Sequence, residues 1–217
     1  MKTRKAGIDF GLYLVTDRGL SGGRPLDKIV RESVSGGVSV IQLREKDAGT
    51  REFLHQAFAL RQTASELGIP FIINDRVDVA LACRADGVHL GQEDMPCALA
   101  RRIAGKDMTI GVSVSTVDEA LEAEADGADY LGVGPLFATK TKADVLPATG
   151  LGVLRTIRRA VRIPLVGISG INAANAGDVI RAGADGVAVV SAIIASPDPG
   201  AAARALRSAI DEIMCCR

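Results

Sequence analysis

The feature that most narrows the folds open to this chain is a recurrence. Three stretches share one pattern: RADGVHLGQ from Arg84 to Gln92, GADYLGVGP from Gly127 to Pro135, and GADGVAVVS from Gly183 to Ser191. Each places an Ala-Asp pair after a helix-like run and then starts a short apolar strand. Between them the chain keeps the same rhythm. LYLVT, VSVIQL, IPFIIN, GVHLG, MTIGVSV, YLGVGPLF, IPLVGIS and GVAVVSAI read as strands. Amphipathic runs separate them. TREFLHQAFALRQTASELG is expected to start at Thr50 as N-cap and stop at Gly68, and TVDEALEAEADG to be capped by Thr116. NAANAGDVIRAG and PGAAARALRSAIDEIM are the last two helices. Eight β-then-α units predict an α/β fold, a single (β/α)8 TIM barrel over residues 1–217, with residues 1–10 as an N-terminal extension. An open doubly wound sheet is the alternative. Its dinucleotide-binding version lacks the G-x-G-x-x-G expected after the first strand. Asp86, Asp129 and Asp185 fall in the αβ turns at the bottom of such a barrel, where residues serve stability.

Composition then removes whole classes of function. Lysine plus arginine and aspartate plus glutamate both number 26. A balanced chain has no overall pull on nucleic acid or an anionic membrane. Aromatics are 3% and tryptophan is absent, which disfavours a base-stacking surface. No run approaches the roughly 18 apolar residues of a membrane helix. Cys83, Cys97, Cys215 and Cys216 lack metal-ligand spacing with histidine and read as free thiols. The expectation is a cytoplasmic enzyme of small molecules, with a homo-oligomer left open.

Barrel active sites lie at the C-terminal ends of the strands, so the polar residues there form the candidate set. Strand periodicity of two puts Val38, Val40, Gln42, Arg44 and Lys46 on one face and Ile41 and Leu43 on the other. An amide and two cations then stand at the rim. Glu45 and Asp47 read as loop or supporting charges. The third strand ends in Asn74-Asp75, and the fourth leads to Asp94. Two carboxylates without a histidine cluster suit a hard cation such as Mg²⁺. Asp75 as a helix N-cap is the structural alternative, and His89 reads as a packed strand residue. The fifth strand ends at Ser113. GPLFATKTKADVLPATG is the longest connection, and its Thr139, Lys140, Thr141 and Lys142 suit phosphate oxygens. Gly170 after the seventh strand and Val190-Ser191 after the eighth occupy the usual barrel position for a phosphate. No nucleophile–base pair stands out.

These motifs resemble the thiamine phosphate synthase family. The matching pieces are YLVTDR, IQLREKD, FIINDRVDVALACRADGVHLGQEDM, GVSVST, DYLGVGPLFATKTKAD, VGISGI and GADGVAVVSAI, in order from Tyr13 to Ile193. The resemblance implies a transferase of thiamine biosynthesis on a (β/α)8 barrel. It implies joining of 4-amino-2-methyl-5-hydroxymethylpyrimidine diphosphate to a thiazole phosphate, or its carboxylated form, with release of diphosphate. By the same match Gln42, Arg44, Lys46, Asn74, Ser113 and Lys142 hold the pyrimidine diphosphate, with Lys142, Arg44 and Ser113 assisting the chemistry. The resemblance implies that Asp75 and Asp94 bind Mg²⁺. Thr139, Thr141, Gly170, Val190 and Ser191 hold the thiazole phosphate. Two positions depart from the family pattern: Ser115 stands where many relatives carry histidine, and Ser169 where glycine is common. A sister group on this barrel isomerises the thiazole phosphate, and there that histidine would matter. A phosphate sensor on a decayed barrel is the non-enzyme alternative.

Overall fold

In the computed structural model, which describes residues 7–138 and 149–215, eight parallel strands close into one barrel in sequence order. They are β1 (Leu12–Val15), β2 (Val40–Leu43), β3 (Phe71–Asn74), β4 (Gly87–Leu90), β5 (Thr109–Val114), β6 (Tyr130–Val133), β7 (Leu165–Ile168) and β8 (Gly186–Val189). The β8–β1 pairing, Tyr13 opposite Ala188, closes the ring and rules out the open sheet. The helices are α1 (Leu26–Ser35), α2 (Thr50–Leu67), α3 (Val77–Ala82), α4 (Cys97–Ala104), α5 (Val117–Ala125), α6 (Gly150–Ala160), α7 (Ala176–Arg181), α8 (Ser191–Ile194) and α9 (Pro199–Met214).

Period two sorts the core into two compartments. Leu12, Leu14, Ile41, Leu43, Phe71, Ile73, Leu131 and Val133 face outward and pack against the helices. Tyr13, Val15, Val40, Ile72, Tyr130, Val166 and Ala188 fill the lumen. Ile8 and Phe10 join that lumen cluster, so the end of the expected extension packs into the barrel. Phe10 stacks at a tilt on Tyr130, with ring centroids 4.5 Å apart.

Four expectations need correction. Val38 belongs to the outer cluster, because it lies between the Gly36–Gly37 turn and the start of β2 at Val40, before the alternation begins. The N-cap of α2 is Gly49, and Thr50 is its first helical residue. The turn from Asn172 to Asn175 precedes α7, where Asn175 Oδ1 accepts from the Asn172 amide at 2.8 Å. GVAVVSAI is strand only to Val189: Val190 is the N-cap of α8, and Ser191 opens it. The α5 cap forms as expected. Thr116 accepts from the Glu119 amide, and the Glu119 side chain reaches back to the Thr116 amide.

The sequence repeat becomes a set of latches at the barrel's bottom. The Asp86 carboxylate accepts from the Phe71 amide at 2.9 Å, Asp129 from Ile110 at 2.9 Å, and Asp185 from Leu165 at 2.8 Å. Each thus ties the turn before one strand to the start of its neighbour. Arg61, Arg101 and Arg158 pair with these acids in turn. A fourth copy, hidden in the sequence, has Ser39: its hydroxyl accepts from the Leu12 amide at 3.2 Å. Beside it lies Arg207, which pairs with Asp9 and Asp211 instead. Two residues before each latch residue stands Gly37, Arg84, Gly127 or Gly183, all at positive φ.

Candidate active site

At the opposite end the same alternation turns polar. Gln42 follows Val40, Asn74 follows Ile72, and Ser113 follows Gly111, all on the lumen side. Together with His89 and Arg44 they line a cavity of about 700 Å³ at the C-terminal mouth. Gly170, Val190 and Ser191 line its other side. One space therefore gathers seven of the residues selected from sequence: Gln42, Arg44, Asn74, Ser113, Gly170, Val190 and Ser191. Thr139, Lys140, Thr141 and Lys142 lie outside the described residues.

Arg44 is steadied from two sides. Its amide donates to Thr16 Oγ1 at 3.2 Å, and its guanidinium lies 3.7 Å from Asp17 Oδ2. Glu45 points the other way and pairs with Arg18 at 3.3 Å, tying the loops after β1 and β2. Burial pushes its carboxyl above the ordinary range, with Arg18 acting against that.

Lys46, Asp75 and Asp94 form a group beside the cavity, not in its lining. Asp75 hydrogen-bonds Asp94, and Lys46 Nζ stands 3.5 Å from Asp75 Oδ2. Burial, then the hydrogen bond and negative charge of Asp94, push the Asp75 carboxyl up to about 6, while Lys46 pulls it down. Asp75 sits at φ 64 and caps no helix; the N-cap of α3 is Arg76. Asp94 Oδ2 accepts from the Gly91 amide at 2.7 Å. A side chain held in the left-handed region against a second acid is a costly arrangement, of a kind found at functional sites. Among the described residues no group of three or more His, Cys, Asp or Glu side chains could hold a metal. Any protein-held cation here rests on the acid pair.

The side of the cavity near Gly170 is built from backbone. Ser169 and Gly170 adopt φ 81 and φ 67 in succession. A Cβ at Gly170 would stand 2.7 Å from the Ala138 carbonyl oxygen, so this turn fits only glycine. Ser115, the other departure, gives its hydroxyl to Glu119 at 3.0 Å within the α5 cap.

Sequence reasoning missed the cavity floor. Gln42 Nε2 donates to Tyr13 Oη at 2.8 Å, and Tyr13 Oη lies 2.9 Å from Tyr130 Oη. Tyr130 Oη is 2.9 Å from His89 Nδ1, and His89 Nε2 is 2.9 Å from Ser113 Oγ. His89 is packed as expected, yet it also links the floor to Ser113. The missed signal was parity. Both tyrosines of the chain occupy inward positions of strands, and a buried phenol needs a partner.

This fold, with polar groups of four strands, β2 to β5, turned into one mouth, defines a (β/α)8-barrel enzyme. The thiamine monophosphate synthase family matches residues 12–193. Thiamine-phosphate synthase of Chloroflexus aurantiacus is 56% identical over 203 residues, 94% of each chain. That of Methanocella arvoryzae is 51% identical over 205 residues, covering 94% of this chain and 97% of the relative. A solved thiamine phosphate pyrophosphorylase from Pyrococcus furiosus superposes with a TM-score of 0.87 at 45% identity, over 95% of this chain and 98% of that one. The chain belongs to the thiamine monophosphate synthase family, and it is a transferase.

Proposed function

We propose that the chain joins the hydroxymethylpyrimidine diphosphate named above to thiazole phosphate, or its carboxylated form, and releases diphosphate. One observation carries this reading. The amides of Gln42 and Asn74, the Ser113 hydroxyl and the Arg44 cation, at the ends of β2, β3 and β5, face a single cavity, and an acid pair with a lysine beside it stands at the edge. In this reading Gln42, Asn74 and Ser113 orient the pyrimidine diphosphate, and Arg44, Lys46 and Lys142 meet its charge. Gly170, Val190 and Ser191, with Thr139 and Thr141, take the thiazole phosphate. Asp75 and Asp94 would hold Mg²⁺. Their fit is chemical: two hard oxygen donors stand together, and burial followed by the neighbouring Asp94 raises the Asp75 carboxyl to about 6. Bound there, Mg²⁺ would add positive charge beside the diphosphate.

The residues then have three tasks. They hold the ester C–O bond in line with the incoming thiazole nitrogen. The cations of Arg44, Lys46 and Lys142 stabilise the charge that grows on diphosphate as that bond breaks and its electron pair departs. The apolar barrel wall keeps water from the pyrimidine cation until the thiazole nitrogen forms the new C–N bond. No protein nucleophile takes part.

The test is purified protein with both substrates and Mg²⁺. Diphosphate release that depends on the thiazole phosphate is expected; release without it, or none, sinks the proposal. Asp75→Ala should flatten direct metal binding measured by calorimetry. We place the enzyme in the cytoplasm, in keeping with Cys83, Cys97 and Cys215 as free thiols and with the lack, among the described residues, of any helix long and apolar enough to cross a membrane.

A further inference from the structure

The hydrogen-bond chain under the cavity has a direction, and the direction decides what the ligand meets. Each phenol owns one proton and can accept as well. Gln42 Nε2 donates to Tyr13 Oη, which leaves the Tyr13 proton for Tyr130 Oη. Tyr130 can then donate to His89 Nδ1. A neutral imidazole that accepts at Nδ1 carries its proton on Nε2. That N–H meets Ser113 Oγ at 2.9 Å. Ser113 accepts from the floor and keeps its own proton for the cavity. At the other end Gln42 keeps Oε1, a pure acceptor.

We propose that Tyr13, Tyr130 and His89 are positioning residues that form a one-way relay, making Ser113 a hydrogen-bond donor and Gln42 Oε1 an acceptor toward the pyrimidine diphosphate. The inference rests on the proposed function for the identity of that ligand. The same five groups could in principle carry the opposite direction. Ser113 would then spend its proton on His89 Nε2, and Gln42 would turn its NH₂ to the cavity. The ligand's chemistry selects between the two. Diphosphate oxygens only accept, so a Ser113 without a spare proton has nothing to offer them. The exocyclic amine of an aminopyrimidine donates, so it needs an acceptor such as Oε1.

Burial makes the direction persistent. Tyr130 is 0% exposed, Tyr13 1%, Gln42 4% and His89 8%, so bulk water has little access with which to rearrange the chain. Two glycines make room for it. A Cβ at Gly111 would lie 2.1 Å from the Tyr130 ring, and one at Gly132 would lie 2.9 Å from His89 Cε1.

The chain has two histidines, and His55 is exposed on α2. His55→Gln therefore leaves one imidazole for ¹⁵N NMR of the free protein. The expected signature is the Nε2–H tautomer. Tyr130→Phe removes the donor to Nδ1, so the tautomer preference should be lost. KM for the pyrimidine diphosphate should rise by about five- to tenfold, the scale of one buried hydrogen bond. KM for thiazole phosphate should stay unchanged. Tyr13→Phe separates the two ends: Tyr130 still donates to His89, so the tautomer is kept, while KM rises because the Gln42 amide loses its anchor. An Nδ1–H imidazole in the wild-type relay overturns the proposal, even if Tyr130→Phe does not fold. So does a tautomer that Tyr130→Phe leaves unchanged. The spectrum needs no substrate. A failed activity assay beside an Nε2–H imidazole would count against the proposed function and not against the relay.

Discussion

The two ends of the barrel use the same residue types in opposite ways. At the bottom, Asp86, Asp129 and Asp185 each accept a backbone N–H and each has its own arginine. At the top, Asp75 faces another carboxylate, has Lys46 at 3.5 Å and sits at φ 64. Bottom charges are matched within the chain, one against one. Top charges are mixed and unevenly matched: two acids, Asp75 and Asp94, stand together with Lys46 beside Asp75, and Arg44 has only a long contact to Asp17. Such an imbalance lowers the stability of the free protein and suits a charged ligand. The difference teaches which end can be altered without losing the fold.

The sharpest way to break this contrast is Arg44→Ala. Arg44 lines the cavity, and its nearest acid is 3.7 Å away, a long contact. Under the proposed function, in which Arg44 stabilises the departing diphosphate, its loss should lower the single-turnover rate by about 10²- to 10³-fold. Stability to urea should change little, within about 0.5 kcal/mol, as for a half-buried charge with one long contact. A large loss of stability with little loss of rate would place Arg44 with the bottom latches.

Asp129→Ala asks the converse question. Its carboxylate bonds the Ile110 amide and Arg101, which also reaches the carbonyls of Gly127, Gly105 and Met108. Removing it strands a partly buried guanidinium and one amide, worth about 2–3 kcal/mol of stability. Turnover by the folded fraction should be unchanged. A fall in kcat without a fall in the unfolding midpoint would show that the two ends are coupled.

This division also explains what the sequence reveals. The latches were legible because Ala-Asp recurs before three strands. The fourth escaped because serine replaces aspartate at Ser39 and the repeat reads GVS. Rim polarity was legible by parity from Gln42, Asn74 and Ser113. The floor was not, since it depends on which strands meet across the lumen: Tyr13 on β1, His89 on β4 and Tyr130 on β6 come together only when the barrel closes. The separation of Lys46 from Arg44 escaped for a related reason. Alternation gives both one face, but Lys46 lies beyond the strand, where the loop turns it toward Asp75.

The acid pair gives a pH test of smaller size. In the unfolded chain a carboxyl like Asp75 ionises near pH 4, but in the fold only near 6. Between those values the fold keeps a proton that the unfolded chain has released. The contribution of Asp75 to stability in the absence of metal therefore falls as pH rises through about 4 to 6, and is level above. Metal needs the ionised form. Apparent Mg²⁺ affinity should fall up to about tenfold per pH unit below 6, read by calorimetry. Asp94→Asn removes the neighbouring charge, so the Asp75 titration followed by carbonyl NMR should move down. A titration that stays near 6 would leave burial as the whole cause.

The smallest expected effect compares two residues at positive φ. Ser169 at φ 81 lines the cavity, and Arg84 at φ 53 lies in a bottom turn where the other three repeats have glycine. A left-handed conformation costs a residue with Cβ about 1–2 kcal/mol, and glycine gives back roughly 0.5–1 kcal/mol in unfolded-chain entropy. Ser169→Gly and Arg84→Gly should thus each stabilise the protein by up to about 1 kcal/mol, seen as a higher urea midpoint. Arg84→Gly keeps the carbonyl that accepts from Arg61 Nε at 2.9 Å, so the latch there survives. Its kinetics should match the wild type. Ser169→Gly loosens a turn next to Gly170, so KM for thiazole phosphate should change while KM for the pyrimidine diphosphate does not. If both variants gained stability with identical kinetics, Ser169 would be a bottom-type residue that merely happens to stand at the top.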